Sequence, residues 1–280
     1  MHIHCPPPSP AIVTRRDALR QLGAGSLLAL GLWPGCAAVK PAPSARAEEF
    51  RFLVVNDTHY LTPECGRYLE GVVRQMKTHE AVDFCLLVGD LADTGEAEQL
   101  SPVREIFHGL GLPVHAQIGN HDYLKSDDRR AYEKTFPGQI NYEFEHRGWQ
   151  FVGLDSTEGQ KFEKTTIQPA TFRWLDDHLP KLEKSKPTVL FTHFPLGEKV
   201  TYRPLNAEAL LERFREFNLV SVFNGHFHGF TERQVRQAMI TTNRCCSLKR
   251  GNHDKTTEKG YFLCTAKEGK ITRSFVEFKG

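Results

Sequence analysis

From Phe50 onward the chain alternates short apolar runs with longer stretches of helical spacing. Phe50 to Val55 reads as a strand, and Glu64 to His79 as a helix. Asp83 to Val88 is a short apolar run with turn residues behind it, the mark of a buried strand. A helix over Glu96–Gly109, a third strand over Pro113–Ile118 and a short helix over Asp127–Thr135 follow. The rhythm then changes. Ile140 to Glu145 alternates strictly, Arg147-Gly148 makes a turn, and Trp149 to Leu154 returns, which predicts a hairpin. Pro169 to Leu182 is expected to be helical, with its proline in the first turn where the missing N–H costs nothing. Thr188–Thr192 and Val220–Asn224 read as strands on either side of a helix over Asn206–Phe217. The tail gives three more strands, over Gln234–Thr241, Tyr261–Ala266 and Ile271–Phe278. Alternating strands and helices followed by strand-rich segments predict an α/β domain of two sheets packed face to face, helices outside.

The first 47 residues do not share this pattern. Thr14-Arg15-Arg16-Asp17-Ala18-Leu19-Arg20 resembles a twin-arginine export signal, with Ala18 and Arg20 in place of the usual Phe and Lys. A glycine-broken apolar run from Leu22 to Trp33 follows, too short to span a bilayer comfortably. Ala45-Arg46-Ala47 offers a cleavage site. Cys36, after Trp33-Pro34-Gly35, is a competing site for a lipid anchor. Residues 1–47 are therefore read as a leader and 48–280 as one domain, delivered to the periplasm by the twin-arginine machinery as a free protein or a lipoprotein.

Charge supports that division. The 280-residue chain has a formal charge of +2, but the leader holds five basic residues against one acidic and carries +4, which leaves the body at −2. An acidic body gives no strong nucleic-acid signal, so a nuclease is a weaker reading. A small phosphorylated substrate stays open, because bound metal can supply local positive charge. The body's five cysteines include no C-x-x-C pair; Cys85 reads as core, and Cys245 or Cys246 as able to pair with Cys65 or Cys264.

The chemistry lies at the strand ends. The first strand runs into Asp57-Thr58-His59, the second into Gly89-Asp90-Leu91-Ala92-Asp93, the third into Gly119-Asn120-His121-Asp122. Later strands end in His193 and in Gly225-His226-Phe227-His228. In an open α/β sheet that edge is where ligands bind. Mixed carboxylate and imidazole donors suit zinc, iron or manganese rather than calcium. The glycines before Asp90, Asn120 and His226 permit turns that bring side chain and backbone close to an ion.

In that order, D-x-H, G-D-x-x-D, G-N-H-D, a single His and G-H-x-H resemble the calcineurin-like metallophosphoesterase family over Phe50–His228. The resemblance implies a four-layer α-β-β-α sandwich with two central mixed sheets. It implies that Asp57, His59 and His228 hold one metal, that Asn120, His193 and His226 hold a second, and that Asp90 bridges them. It also implies a metal-dependent phosphoric ester hydrolase acting on a diester or monoester, and His121 as the residue that protonates or stabilises the leaving oxygen. Two close ions neutralise phosphate oxygens and acidify a bridging water to the attacking hydroxide. Motif set and size are similar to the cyclic-nucleotide phosphodiesterase branch. No tyrosine follows Asp93 as in purple acid phosphatases. A non-catalytic metal-dependent binding protein is the alternative, weakened because every expected ligand and His121 are present.

Asp93 and Asp122 are expected to orient ligands by hydrogen bonds. The chain repeats Gly-Asn-His-Asp at 251–254 with no clear strand before it, so His253 is expected in an exposed loop, with a place facing the same pocket and touching substrate as the alternative. Arg244, Lys249 and Arg250 are secondary candidates for phosphate contact, and Tyr123 for lining the pocket.

Overall fold

The computed structural model describes residues 48–280; the leader, the twin-arginine segment and Cys36 lie outside the described residues. Eleven strands form two sheets. The first holds β1 (Phe50–Val55), β2 (Val82–Val88), β3 (Val114–Gln117), β10 (Gly260–Lys267) and β11 (Lys270–Glu277), in the order β11-β10-β1-β2-β3. The second holds β4 (Tyr142–His146), β5 (Trp149–Gly153), β6 (Thr188–Phe191), β7 (Leu219–Asn224), β8 (Thr231–Val235) and β9 (Ala238–Thr242), in the order β4-β5-β6-β7-β9-β8. Both are mixed: β1, β2 and β3 run parallel, as do β5, β6, β7 and β9, while β10 and β4 pair antiparallel.

Alternation along each strand decides the layers. Phe52 and Val54 of β1 face the second sheet and join Phe84, Trp149, Phe151, Phe191 and Phe223 in an aromatic inner core. Phe52 stacks on Phe84 at 5.1 Å between centroids, and both meet Phe151 edge-on. The alternate residues Leu53 and Val55 pack outward against helices α1 (Pro63–Met76) and α2 (Ala97–His108). Leu190 and Val222 likewise face α4 (Pro169–His178) and α5 (Ala207–Arg213) across the second sheet. The central strands are thus buried on both faces, which is why they are continuously apolar. The expected four-layer sandwich is the fold.

Three differences from the sequence reading have local causes. The strand expected over Gln234–Thr241 is a hairpin, β8 and β9, turning at Arg236 with φ 54°. No Gly, Pro or Asn marks that turn, so nothing signalled it. The helix expected to reach Leu182 ends at His178 and continues as a 3-10 turn over Leu179–Lys181, because Pro180 cannot donate to the helical ladder. Helix α3 (Arg130–Thr135) starts three residues later than expected.

Candidate metal centre

The loops after β1, β2 and β3 and those after β6 and β7 meet at one edge of the sandwich. Asp57, His59, Asp90 and His228 converge, as do Asp90, His193 and His226, with the donor atoms of each group within 4.8 Å of one another. Asp90 belongs to both groups. Its Oδ2 lies 3.2 Å from His193 Nε2 and 3.5 Å from His59 Nε2. His59 Nε2 and His228 Nε2 are 3.2 Å apart, and so are His193 Nε2 and His226 Nδ1. Donors about 2.1 Å from a shared ion, at tetrahedral or octahedral angles, stand roughly 3.0–3.4 Å apart.

The backbone is strained to make this convergence. Asp57 (φ 53°), His59 (43°), Asp90 (49°), His226 (64°) and His228 (46°) all sit in the left-handed region that side chains other than glycine avoid. The turns are also crowded. A Cβ on Gly119 would lie 2.2 Å from the Asp90 amide nitrogen and Oδ1, and one on Gly89 (φ 74°) 2.3 Å from His193 Nδ1. These glycines are therefore needed less for an ion than for the neighbouring ligand.

Each of the four imidazoles turns its second ring nitrogen onto an acceptor. His59 Nδ1 meets Asp93 Oδ1 at 3.2 Å, His193 Nδ1 meets the Val88 carbonyl at 3.2 Å, His226 Nε2 meets that of Phe162 at 2.8 Å, and His228 Nδ1 meets that of Gly251 at 3.1 Å. Such partners fix the tautomer so that the inward nitrogen presents a lone pair, the arrangement typical of metal-binding histidine. The carboxylates are fixed as well. The His226 amide donates to Asp57 and the His121 amide to Asp90 Oδ1 at 2.9 Å. Asp122 accepts three backbone N–H groups, from Leu91, Ala92 and Gly119, and ties the second motif to the third.

The electrostatics call for positive charge at this point. Asp57 is fully buried and Asp90 nearly so. Burial disfavours the charge on Asp57, but His228 and His193 beside it hold its carboxyl at about 2. Burial also opposes protonation of His193 and His228, yet Asp90 raises the first to about 9 and Asp57 raises the second to about 11. Burial wins at His226, which falls to about 3 with the charge on His193 adding to the effect. Two imidazoliums thus neutralise two buried carboxylates in the metal-free protein.

Metal fits better. The side-chain oxygen of Asn120, the residue before the His121 amide that holds Asp90, is buried with no hydrogen-bond partner, although buried polar atoms are almost always paired. An amide oxygen, two imidazoles and a shared carboxylate form a donor set for transition ions, and the cluster is able to bind two. Residues 50–230 match the family described as Calcineurin-like phosphoesterase. The chain belongs to that family.

As a calcineurin-like phosphoesterase, it is a metal-dependent phosphoester hydrolase. A probable cyclic nucleotide phosphodiesterase of Rhodopseudomonas palustris is 28% identical over 206 residues, 64% of this chain and 71% of that one. A glycerophosphodiester phosphodiesterase of Enterobacter lignolyticus is 28% identical over 216 residues, 67% and 74% of the two chains. Among solved structures, the Plasmodium inner-membrane-complex anchor GAP50 shares the fold at TM-score 0.61 and 15% identity, over 82% of this chain and 85% of that chain. A purple acid phosphatase from yellow lupin seeds does so at TM-score 0.60 and 12% identity, over 83% of this chain. This phosphoesterase spans about half the length of the lupin protein, 52%.

The cavity over the two groups, about 500 Å³, contains more than the sequence motifs foretold. His121 lines it, with Nδ1 on the Asp93 carbonyl at 2.8 Å. His253, expected in an exposed loop, is exposed but also lines the cavity, its ring 5.2 Å from that of His228. The repeated Gly-Asn-His-Asp explains this. Asp254 accepts the amides of Phe230 and Thr256 and braces its turn much as Asp122 does. Asn252, unlike Asn120, spends its side chain on Cys245, Thr256 and Glu258 and acts as a bracket.

Lys249 and Arg250 line the cavity as well, Lys249 paired with Glu64 and Arg250 with Asp93. Arg244 is instead tied to Asp254 and Thr256. Phe162 and Tyr202 carried no signal in the sequence, since both lie in irregular loops. Tyr123 was expected in this cavity and is not there. It lines a larger one, about 620 Å³, in which Arg129 is paired with Asp155 and none of the seven expected ligands appears. Cys65, Cys85, Cys245, Cys246 and Cys264 are all free and buried, so the expected pairing of Cys245 or Cys246 is not formed.

Proposed function

We propose that this chain is a phosphodiesterase for small diesters of the kinds named for its relatives, cyclic nucleotides or glycerophosphodiesters. Asp57, His59, Asp90 and His228 would hold one ion of manganese, iron or zinc, and Asp90, Asn120, His193 and His226 would hold the other. The observation that carries this reading is the sharing of Asp90 between two complete donor groups. Ions bound there would neutralise phosphate oxygens and lower the pKa of the attacking water.

The rest is done by the chain. The seven side chains fix where the phosphorus sits. His121 stands at the leaving group. Its Nδ1 donates to the Asp93 carbonyl, so Nε2 of the protonated ring is the atom that gives a proton to the departing oxygen. Asp93 serves the site twice, its carbonyl orienting His121 and its carboxylate orienting His59. Arg250 donates to the same carboxylate oxygen as the His59 contact.

Hydrolysis of bis-p-nitrophenyl phosphate and p-nitrophenyl phosphate by metal-stripped protein, resupplied with each metal, is the test. Metal-dependent release with the diester preferred is the expected result. Preference for the monoester would make it a phosphatase. No release from protein shown to hold two ions would leave the metal-dependent binding-protein reading.

Twin-arginine export to the periplasm, with cleavage after Ala47 or lipidation at Cys36, belongs to the same proposal and rests on the leader sequence alone. Fractionating cells that express the full chain, with and without Arg15→Lys and Arg16→Lys together, tests it. Periplasmic protein that remains cytoplasmic in the double variant is expected.

A further inference from the structure

We infer that Phe162 and Tyr202 form an aromatic wall that selects diesters carrying a flat heteroaromatic group, a nucleoside, over those carrying only glycerol. This rests on the phosphodiesterase reading and assigns that site its substrate class.

Phe162 exposes 55% of its surface at the cavity, an unusual place for a phenylalanine in a protein with a well-filled core. It is not a loose side chain on a loose loop. Its carbonyl accepts His226 Nε2 at 2.8 Å, so the wall is fastened to a ligand of the metal centre. Tyr202 lines the same cavity, at 6.4 Å from Phe162 and 5.2 Å from His226 between ring centroids, edge-on to both. It is held at φ 68°, a left-handed conformation that a bulky side chain adopts only where the surroundings impose it. His253 continues the arc, 5.9 Å from Tyr202.

The cationic groups lie instead by Asp93, the partner of His59 in the first group. His121 and Arg250 both engage Asp93 there, and Lys249 is paired with Glu64. The cavity therefore has an aromatic flank beside His226 and cationic groups beside Asp93. A diester whose phosphate sits at Asp90 can lay one arm against the aromatic flank. A planar base gains stacking from that surface, typically about tenfold or more per ring in binding. A glycerol arm gains little.

The test compares kcat/KM for 3′,5′-cyclic AMP and for glycerophosphoethanolamine in wild type, Phe162→Ala, Tyr202→Leu and Tyr202→Phe, each with metal content measured. The ratio of cyclic AMP to glycerol ester is expected to fall about tenfold in Phe162→Ala and Tyr202→Leu, through KM, and to be retained in Tyr202→Phe. An equal fall on both esters, or an unchanged ratio, would overturn the inference. A second readout needs no turnover. In zinc-loaded protein, saturation transfer to AMP is expected to be stronger at the base protons than at the ribose and to weaken in the two non-aromatic variants. Base contact without hydrolysis of any ester would sink the phosphodiesterase reading and keep the wall. Hydrolysis without base contact would do the reverse.

Discussion

Single residues in this site do separable jobs, which makes them testable one at a time. His121 reaches the cavity and lies outside the two groups that share Asp90, although its ring nitrogen comes near His59 and Asp93. His121→Ala is expected to lower kcat on a poor leaving group by roughly 10²–10⁴-fold while two ions stay bound, checked by kinetics and elemental analysis on the same preparation. Equal losses of metal and rate would remove it from the role of acid. Asp122 touches no substrate but takes three backbone amides through its two oxygens. Asp122→Asn sets an NH2 group against a backbone N–H. Chemical denaturation is expected to show about 2 kcal/mol of lost stability, and metal titration an affinity weaker by about tenfold or more. The repeated Gly-Asn-His-Asp shows that residue type alone does not make a ligand. Asn120 and Asn252 are identical in local sequence, and only the second has its hydrogen bonds satisfied by neighbouring backbone.

At the scale of elements, the parallel strands act as rails that end level with one another. β1 pairs with β2 at Val55↔Leu87, and β2 with β3 at Val88↔Gln117, so the loops that follow start from one edge. Those loops are packed so closely that the turns accept almost no addition. Gly119 has an ordinary extended backbone, but its missing Cβ is where the Asp90 amide and carboxylate pass. Gly119→Ala is expected to push the shared carboxylate aside and cost both ions together. Elemental analysis should show well under one ion per chain, with a melting temperature lowered accordingly. Loss of one ion alone would mean that Asp90 does not bridge. Most of these elements were legible because apolar runs and helical spacing are local signals. The β8–β9 turn was not, since Arg236 adopts a left-handed backbone without the residue type that announces one.

Across the whole domain, the site joins the two sheets. Asp57, His59, Asp90 and Asn120 follow strands of the first sheet, while His193, His226 and His228 follow strands of the second. Metal binding should therefore act as a staple between layers. Removal with a chelator is expected to lower the melting temperature, and readdition to restore it, by an amount that grows with the ratio of free metal to Kd. Without metal the staple is ionic, His193 to Asp90 and His228 to Asp57. The folded pKa of His193, about 9, lies above its ordinary value near 6.5, so its contribution is fully present below pH 6.5 and lost as pH rises through 9. In metal-free protein His193 is expected to account for a loss on the order of 3 kcal/mol over that interval, and His228, raised to about 11, adds a fall of similar size. Metal-loaded protein, whose imidazoles are already neutral, should not. Denaturation curves of both forms at pH 6.5 and 9 check this.

The sequence by itself determined the class of chemistry and nearly all of the architecture. Continuous apolar strands specify burial on both faces, and donor residues placed after them must gather at one sheet edge. The order of the motifs then picks out Asp57, His59, Asp90, His193, His226 and His228, whose donor atoms the fold gathers. Tertiary structure alone decided what surrounds them. His253, Arg250, Phe162 and Tyr202 reach the cavity from loops with no periodicity to read, carried there by contacts between segments far apart in the chain. It also decided that Tyr123 faces a different cavity and that the buried cysteines stay apart. Strand position depends on short-range pattern and can be inferred from it. The rim of a site depends on how separate loops pack against one another, and no local pattern records that.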